Sequence, residues 1–269
     1  PRNADEIWHF LLPDPGMANY ANKDAKKLYP DDFERLKKWR KAFNAPLASH
    51  EVAWLQQLSV RVEELWKEHT QALARDRALT EDPLDVWPHR KDSKGQHEER
   101  SPLSREQKEA IRRQGLLNED GDLATPFRRL KLVMDYWCAL WFWPVTGAED
   151  LPTREEWWFD LETLVLGNAR LPCTNPTDLF PETLPQLTLD FTVERDRHGY
   201  VNLDVLLETN PRLKRAATIA GTQRFFHWEL EFADLFQERA GFDLILGNPP
   251  WIKVEWNEKA LLAEYSPFF

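Results

Sequence analysis

The residues best suited to chemistry are Asn248-Pro249-Pro250-Trp251, directly after the apolar run Phe242-Asp243-Leu244-Ile245-Leu246 and Gly247. An exocyclic aromatic amine is a poor nucleophile because its lone pair is delocalised into the ring. A side-chain amide oxygen that accepts one amine hydrogen, with a backbone carbonyl that accepts the other, draws the nitrogen toward tetrahedral geometry. The lone pair is then localised for attack on a methyl sulfonium, and the same two acceptors stabilise the positive charge that builds on nitrogen. Asn248 supplies the first acceptor and Pro249 the second. The two prolines stiffen the loop and bring no backbone N–H to compete. Trp251 offers a flat face for a planar ring, and a base inside a duplex reaches such a pocket only by leaving the stack. A degenerate Asn/Asp/Ser-Pro-Pro-aromatic string arises by chance in roughly one chain per hundred of this size. The competing reading is a rigid strand-exit turn.

The run before the motif is short, apolar and bounded by Gly241 and Gly247, as in buried strands of parallel sheets. A ligand pocket beyond the carboxyl end of such a strand is the rule in open α/β sheets. Almost everything upstream reads as helix. Ile7 to Leu12 is an apolar strand or short helix, and Pro13-Asp14-Pro15-Gly16 is a turn. Phe33, Leu36, Trp39 and Phe43 share one helical face. Ser49 is the expected N-cap of a long helix to about Leu79, with Val52, Leu55, Leu58, Val62, Leu65, Trp66 and Leu73 as its stripe. Capping-box spacings occur at Ser104/Gln107 and Thr153/Glu156, and Thr125-Pro126 opens the most apolar helix. Prolines at 172, 176, 181 and 185 predict an irregular connection. Short helices are expected over 203–208 and 213–220, and a helix capped by Thr222 and holding Phe225 to Phe232.

The chain has 13 Trp and 15 Phe, which predicts an aromatic core, and only 10 Gly, which makes glycine-rich cofactor loops scarce. A net charge of −10 disfavours the chain as a coat for nucleic acid but leaves room for a local DNA contact. Cys138 and Cys173 are the only cysteines and the seven histidines are scattered, so neither a disulfide framework nor a metal site is expected. This usage points to a reducing, cytoplasmic compartment. No signal peptide or membrane-spanning run is visible; Tyr136 to Pro144 is apolar but too short. The chain starts without Met and stops soon after the expected strand, and one parallel strand cannot stand alone. A piece of a longer protein is therefore expected.

Phe242 to Trp251 resembles the catalytic motif of adenine-specific DNA methyltransferases of class I architecture. Gln223 to Phe232 looks like the segment before that motif in large restriction–modification and phage-defence enzymes. Leu130 to Trp143 looks, more loosely, like their inserted helical region. The resemblance implies that Asn248 and Pro249 hold the adenine amine, with Pro250 completing the loop and Trp251 stacking on the ring. It implies S-adenosyl-L-methionine as cofactor, DNA as substrate, no membrane, and the remaining domains of the same polypeptide as partners. Asp234 matches, weakly, an acidic residue that contacts the cofactor's adenine. The family's Gly-x-Gly cofactor loop is absent: Thr146-Gly147-Ala148, Leu166-Gly167-Asn168 and Ala220-Gly221-Thr222 lack its form. The main cofactor motif is therefore expected outside this chain.

The fold class expected is mainly α. Residues 1–221 form a helical insertion or linker region, and 222–269 are part of the catalytic domain, whose one strand joins a Rossmann-like sheet in the parent protein. The alternatives are methylation of RNA or of a protein glutamine amide, or a non-catalytic helical scaffold. Pro30-Asp31-Asp32 with Glu34 has an acidic, nuclease-like look but reads as a helix N-terminus. His227-Trp228 could line a pocket, with core packing the plainer reading. The Trp137, Trp141, Trp143 group reads as core, since no basic residues interleave with it, and Cys138 as a small buried hydrophobe.

Overall fold

The computed structural model describes residue 3 and residues 5–82, 103–114, 125–167 and 203–248. Among these residues every regular element is helical. In chain order they are α1 (Lys23–Leu28), α2 (Pro30–Phe43), α3 (Ser49–Thr80), α4 (Arg105–Gln114), α5 (Pro126–Ala139), α6 (Arg154–Leu166), α7 (Leu203–Thr209), α8 (Pro211–Gln223), α9 (Trp228–Glu231) and α10 (Ala233–Arg239). Short 3-10 turns occupy His9–Leu11 and Val145–Asp150. None of the described helices is long and apolar enough to cross a membrane.

The helix boundaries follow local chemistry. Pro30 and Pro126 sit at first-turn positions, where their missing N–H costs nothing. Asp31 and Asp32 lie in the first turn of α2, at the positive end of its dipole. Both capping boxes form. Glu156 N–H donates to Thr153 Oγ1 at 3.2 Å while Thr153 N–H donates to Glu156 Oε2 at 2.8 Å, and Ser104 and Gln107 pair the same way. Ser49 is not the cap of α3. Ala48 holds that position, and its N–H donates to Glu51 Oε2 at 2.7 Å, so the acidic half of the box sets the start.

α3 is the spine. Its stripe of Leu55, Leu58, Val62 and Leu65 is buried against α5 and α6. α5 contributes Leu130, Val133 and Tyr136, α6 contributes Trp157, Leu161 and Leu164, and α8 closes over α5 with Leu213 and Ala216. Arg129 is buried in this core and turns its guanidinium onto the last carbonyls of α6, donating to Leu164 O at 2.6 Å and Val165 O at 2.5 Å. A cation there complements the negative end of the helix dipole. Three tryptophans of this body are anchored through their indole N–H: Trp143 donates to Gly147 O, Trp137 to Leu12 O and Trp39 to Pro152 O. Cys138 is half-buried beside them, and burial pushes its thiol up to about 11.

Two further expectations are corrected. The helix expected from Thr222 through Phe232 is broken. α8 runs through Thr222, whose hydroxyl donates back to Thr218 O, and ends where Arg224 turns left-handed at φ 55°. The strand expected over Phe242–Leu246 is not formed, and no strand occurs among the described residues. Leu244, Ile245 and Leu246 are 72%, 80% and 84% exposed. A strand needs a neighbour to satisfy its backbone groups, and this segment has none among the described residues. The connection over 171–189 lies outside the described residues.

Candidate active-site segment

The stretch from Arg224 to Asn248 leads to the motif, and the helical body straps down its first half. After Arg224, the backbone carbonyl of His227 opens α9 by accepting from the N–H groups of Leu230 and Glu231 at 3.0 and 2.9 Å. Its ring is buried, and Nε2 lies 2.8 Å from Asp135 Oδ1 on α5. The other oxygen of Asp135 accepts from Lys131 Nζ at 2.8 Å. This settles the reading of His227 in favour of packing: it is a buried, hydrogen-bonded residue of the interior.

Two further straps come from α3. His69 is fully buried, and its Nε2 meets the carbonyl of Leu230 at 2.8 Å. That carbonyl can only accept, so Nε2 carries the proton and Nδ1 is left bare, buried and without a partner. Burial lowers the His69 pKa below the ordinary 6.5, against the opposing pull of the Leu230 carbonyl and of Asp234. Arg77, near one end of α3, grips Asp234 on α10 with both Nε and Nη2, the latter at 3.0 Å, and lies over the Phe232 ring. Trp228, Phe232, Phe236 and Phe242 form a chain of ring contacts that carries this anchorage onward to the start of the apolar run.

Beyond α10 the chain turns through Ala240 at φ 60° and Gly241 at φ 148°. The second value suits glycine, since side chains rarely tolerate it. Residues 243–248 then lie exposed, with Asn248 at their end. Pro249, Pro250 and Trp251 lie outside the described residues. Asp234 and Asn248 thus have different settings. Asp234 is nearly buried in an ion pair against α3, and Asn248 stands on the exposed segment. The described residues contain no cluster of His, Cys, Asp or Glu able to hold a metal ion. The straps were not evident as functional features from sequence. His69 falls on the apolar stripe of α3, four residues after Leu65, and that position was its only signal.

Residues 147–268 match the family model described as Eco57I restriction-modification methylase. The match covers somewhat under half of the chain and takes in α6 to α10, Asp234 and Asn248 to Trp251. It supports a restriction–modification methylase family, and with it a methyltransferase. No curated protein and no solved structure matches the chain.

Proposed function

We propose that the chain is part of an S-adenosylmethionine-dependent DNA adenine N6-methyltransferase of a restriction–modification or phage-defence system. The observation that carries this reading is the Asn248-Pro249-Pro250-Trp251 motif lying inside the stretch similar to a restriction–modification methylase. In this reading Asn248 Oδ1 and the Pro249 carbonyl accept the two hydrogens of the target amine and stabilise its developing charge. Pro250 holds the loop and Trp251 stacks on the extruded base. The proton lost from nitrogen leaves to solvent, and no covalent enzyme intermediate is formed.

The described residues do not by themselves fit the cofactor. Both oxygens of Asp234 are engaged by Arg77, and the chain has no Gly-x-Gly loop of the family's form. We place the main cofactor motif on further residues of the same polypeptide, with Asp234 contributing at most a spare lone pair. Residues 222–269 belong to the catalytic domain in this reading, and 1–221 to a helical region packed beside it.

The test is transfer of labelled methyl from S-adenosylmethionine to duplex DNA by the full-length protein, with Asn248→Ala alongside. The expected result is label on adenine N6 for the wild type and a loss of at least about a hundredfold in the variant, the size seen when one preorganised polar partner is removed. Near wild-type rate in Asn248→Ala overturns the assignment of Asn248. Label on RNA or on a protein glutamine, with none on DNA, overturns the DNA reading.

A further inference from the structure

α2 buries Leu36 and Phe43 on one side. At 100° per residue, Lys37, Lys38 and Lys41 project from the opposite side, and all three are exposed. Asp31 and Glu34 share this face in the first turns of the helix, but from Arg35 to His50 the sequence carries five cations and no carboxylate, in a chain whose net charge is −10. The nearest acid beyond, Glu51, is already engaged by Arg154 at 2.9 Å. Among the described residues Lys38 and Lys41 find no ion-pair partner, and Lys37 reaches Glu34 only at 3.9 Å across solvent. Elsewhere many cations are neutralised: Arg77 by Asp234, Arg128 by Asp204, Arg215 by Asp150 and Lys108 by Asp82. A favourable helix dipole accounts for charges in the last turn of α2, where Lys41 lies, but not for the pair one turn earlier.

We propose that the solvent face of α2, led by Lys37, Lys38 and Lys41, is a docking surface for the phosphate backbone of duplex DNA. It lies outside the stretch that matches the methylase family model. Lys37 and Lys41 stand about 6 Å apart along the helix axis, close to two phosphate rises of about 3.4 Å on one strand. Lysine ammonium groups are compact point charges, so this face sets orientation and affinity and reads no bases. The proposal rests on the DNA reading given above.

The experiment measures binding of the full-length protein to a labelled duplex across a range of salt concentrations. It compares wild type, K37Q/K38Q/K41Q, and a control triple of equal charge change, K67Q/R75Q/K214Q, drawn from exposed cations on α3 and α8. Thermal melts confirm that each variant is folded. If the face docks DNA, the α2 triple binds at least about tenfold more weakly at low salt. Its slope of log K against log salt also becomes shallower by about 0.9 for each phosphate that the variant no longer neutralises, while the control stays within about twofold of wild type. Equal weakening in both triples, or none in the α2 triple, overturns the proposal and leaves the methyltransferase reading untouched. A wild type that binds no duplex at all overturns both. Loss of binding to anionic phospholipid vesicles with duplex binding intact assigns the face to a membrane and overturns it as well.

Discussion

Asp160 has no solvent exposure, and its carboxylate accepts four hydrogen bonds. Asn210 Nδ2 donates to Oδ1 at 2.7 Å, Arg212 donates to both oxygens at 2.9 and 3.1 Å, and the Tyr136 hydroxyl donates at 3.1 Å. The hydrogen bond to Asp160 raises the Arg212 pKa further, and burial followed by the Asp160 charge holds the Tyr136 hydroxyl well above its ordinary value. Such a group is tolerable only while fully paired. Arg212→Ala leaves the carboxylate buried with part of its charge uncompensated and costs about 3 kcal/mol, read from urea unfolding midpoints. Arg212→Lys falls between, because it keeps the charge but loses the two-pronged fork. A cost below about 0.5 kcal/mol in Arg212→Ala contradicts this account.

His69 makes a second residue-scale prediction, on pH. Its folded pKa lies below the unfolded value, so the folded state binds less proton than the unfolded one as the pH drops through about 6.5. The stability tied to a neutral His69 is complete above that pH and is lost as pH falls toward the folded pKa. His69→Gln can still donate to the Leu230 carbonyl but does not titrate. Between about pH 7 and about pH 5 the wild-type Tm therefore drops more than that of His69→Gln. Parallel curves for the two proteins rule the mechanism out.

At the scale of elements, what was readable in the sequence was local. Caps, first-turn prolines and stripes of period 3.6 marked α2 through α6, because a helix satisfies its own backbone and needs only near neighbours in sequence. Thr153→Ala removes one partner of a formed capping box and costs about 1 kcal/mol by thermal or urea unfolding. The strand expected over Phe242–Leu246 is a different case: it depends on a neighbouring strand, none occurs among the described residues, and apolar character alone does not form one there. The end of α8 was missed because Arg224 adopts a left-handed turn that arginine seldom signals. Gly16 shows a similar limit. The turn was expected, but not that a Cβ there would overlap the indole of Trp141. Gly16→Ala therefore displaces Trp141 and destabilises by about 1–3 kcal/mol, measurable as a lower Tm with altered tryptophan fluorescence. The candidate site divides the same way. Asn248 to Trp251 could be picked out from residue type and spacing, whereas Asp135, His69 and Arg77 come together with the segment only through the packing of α3 and α5.

At the scale of the molecule, the described residues form one helical body from which an apolar segment emerges. Leu244, Ile245 and Leu246 are consecutive and all exposed, so no single covering surface would shield them along a strand, where neighbours point to opposite faces. Residues 1–269 produced alone should associate through this segment. Sedimentation velocity is expected to show concentration-dependent oligomers that Ile245→Glu reduces, and an unchanged distribution in the variant would place the association elsewhere.

The spine helix α3 also acts as a ruler with a phase. Its 32 residues extend about 48 Å. Glu51 at one end is tied to Arg154, and His69 and Arg77 toward the other hold Leu230 and Asp234. A single residue inserted between these ties would turn the far end by about 100° and aim both straps away from the segment they hold. An insertion of seven residues would turn it by only about 20° while lengthening it by about two turns. It would also carry the far straps about 10 Å along the axis, away from Leu230 and Asp234, so the stretch between the two ties should tolerate no insertion.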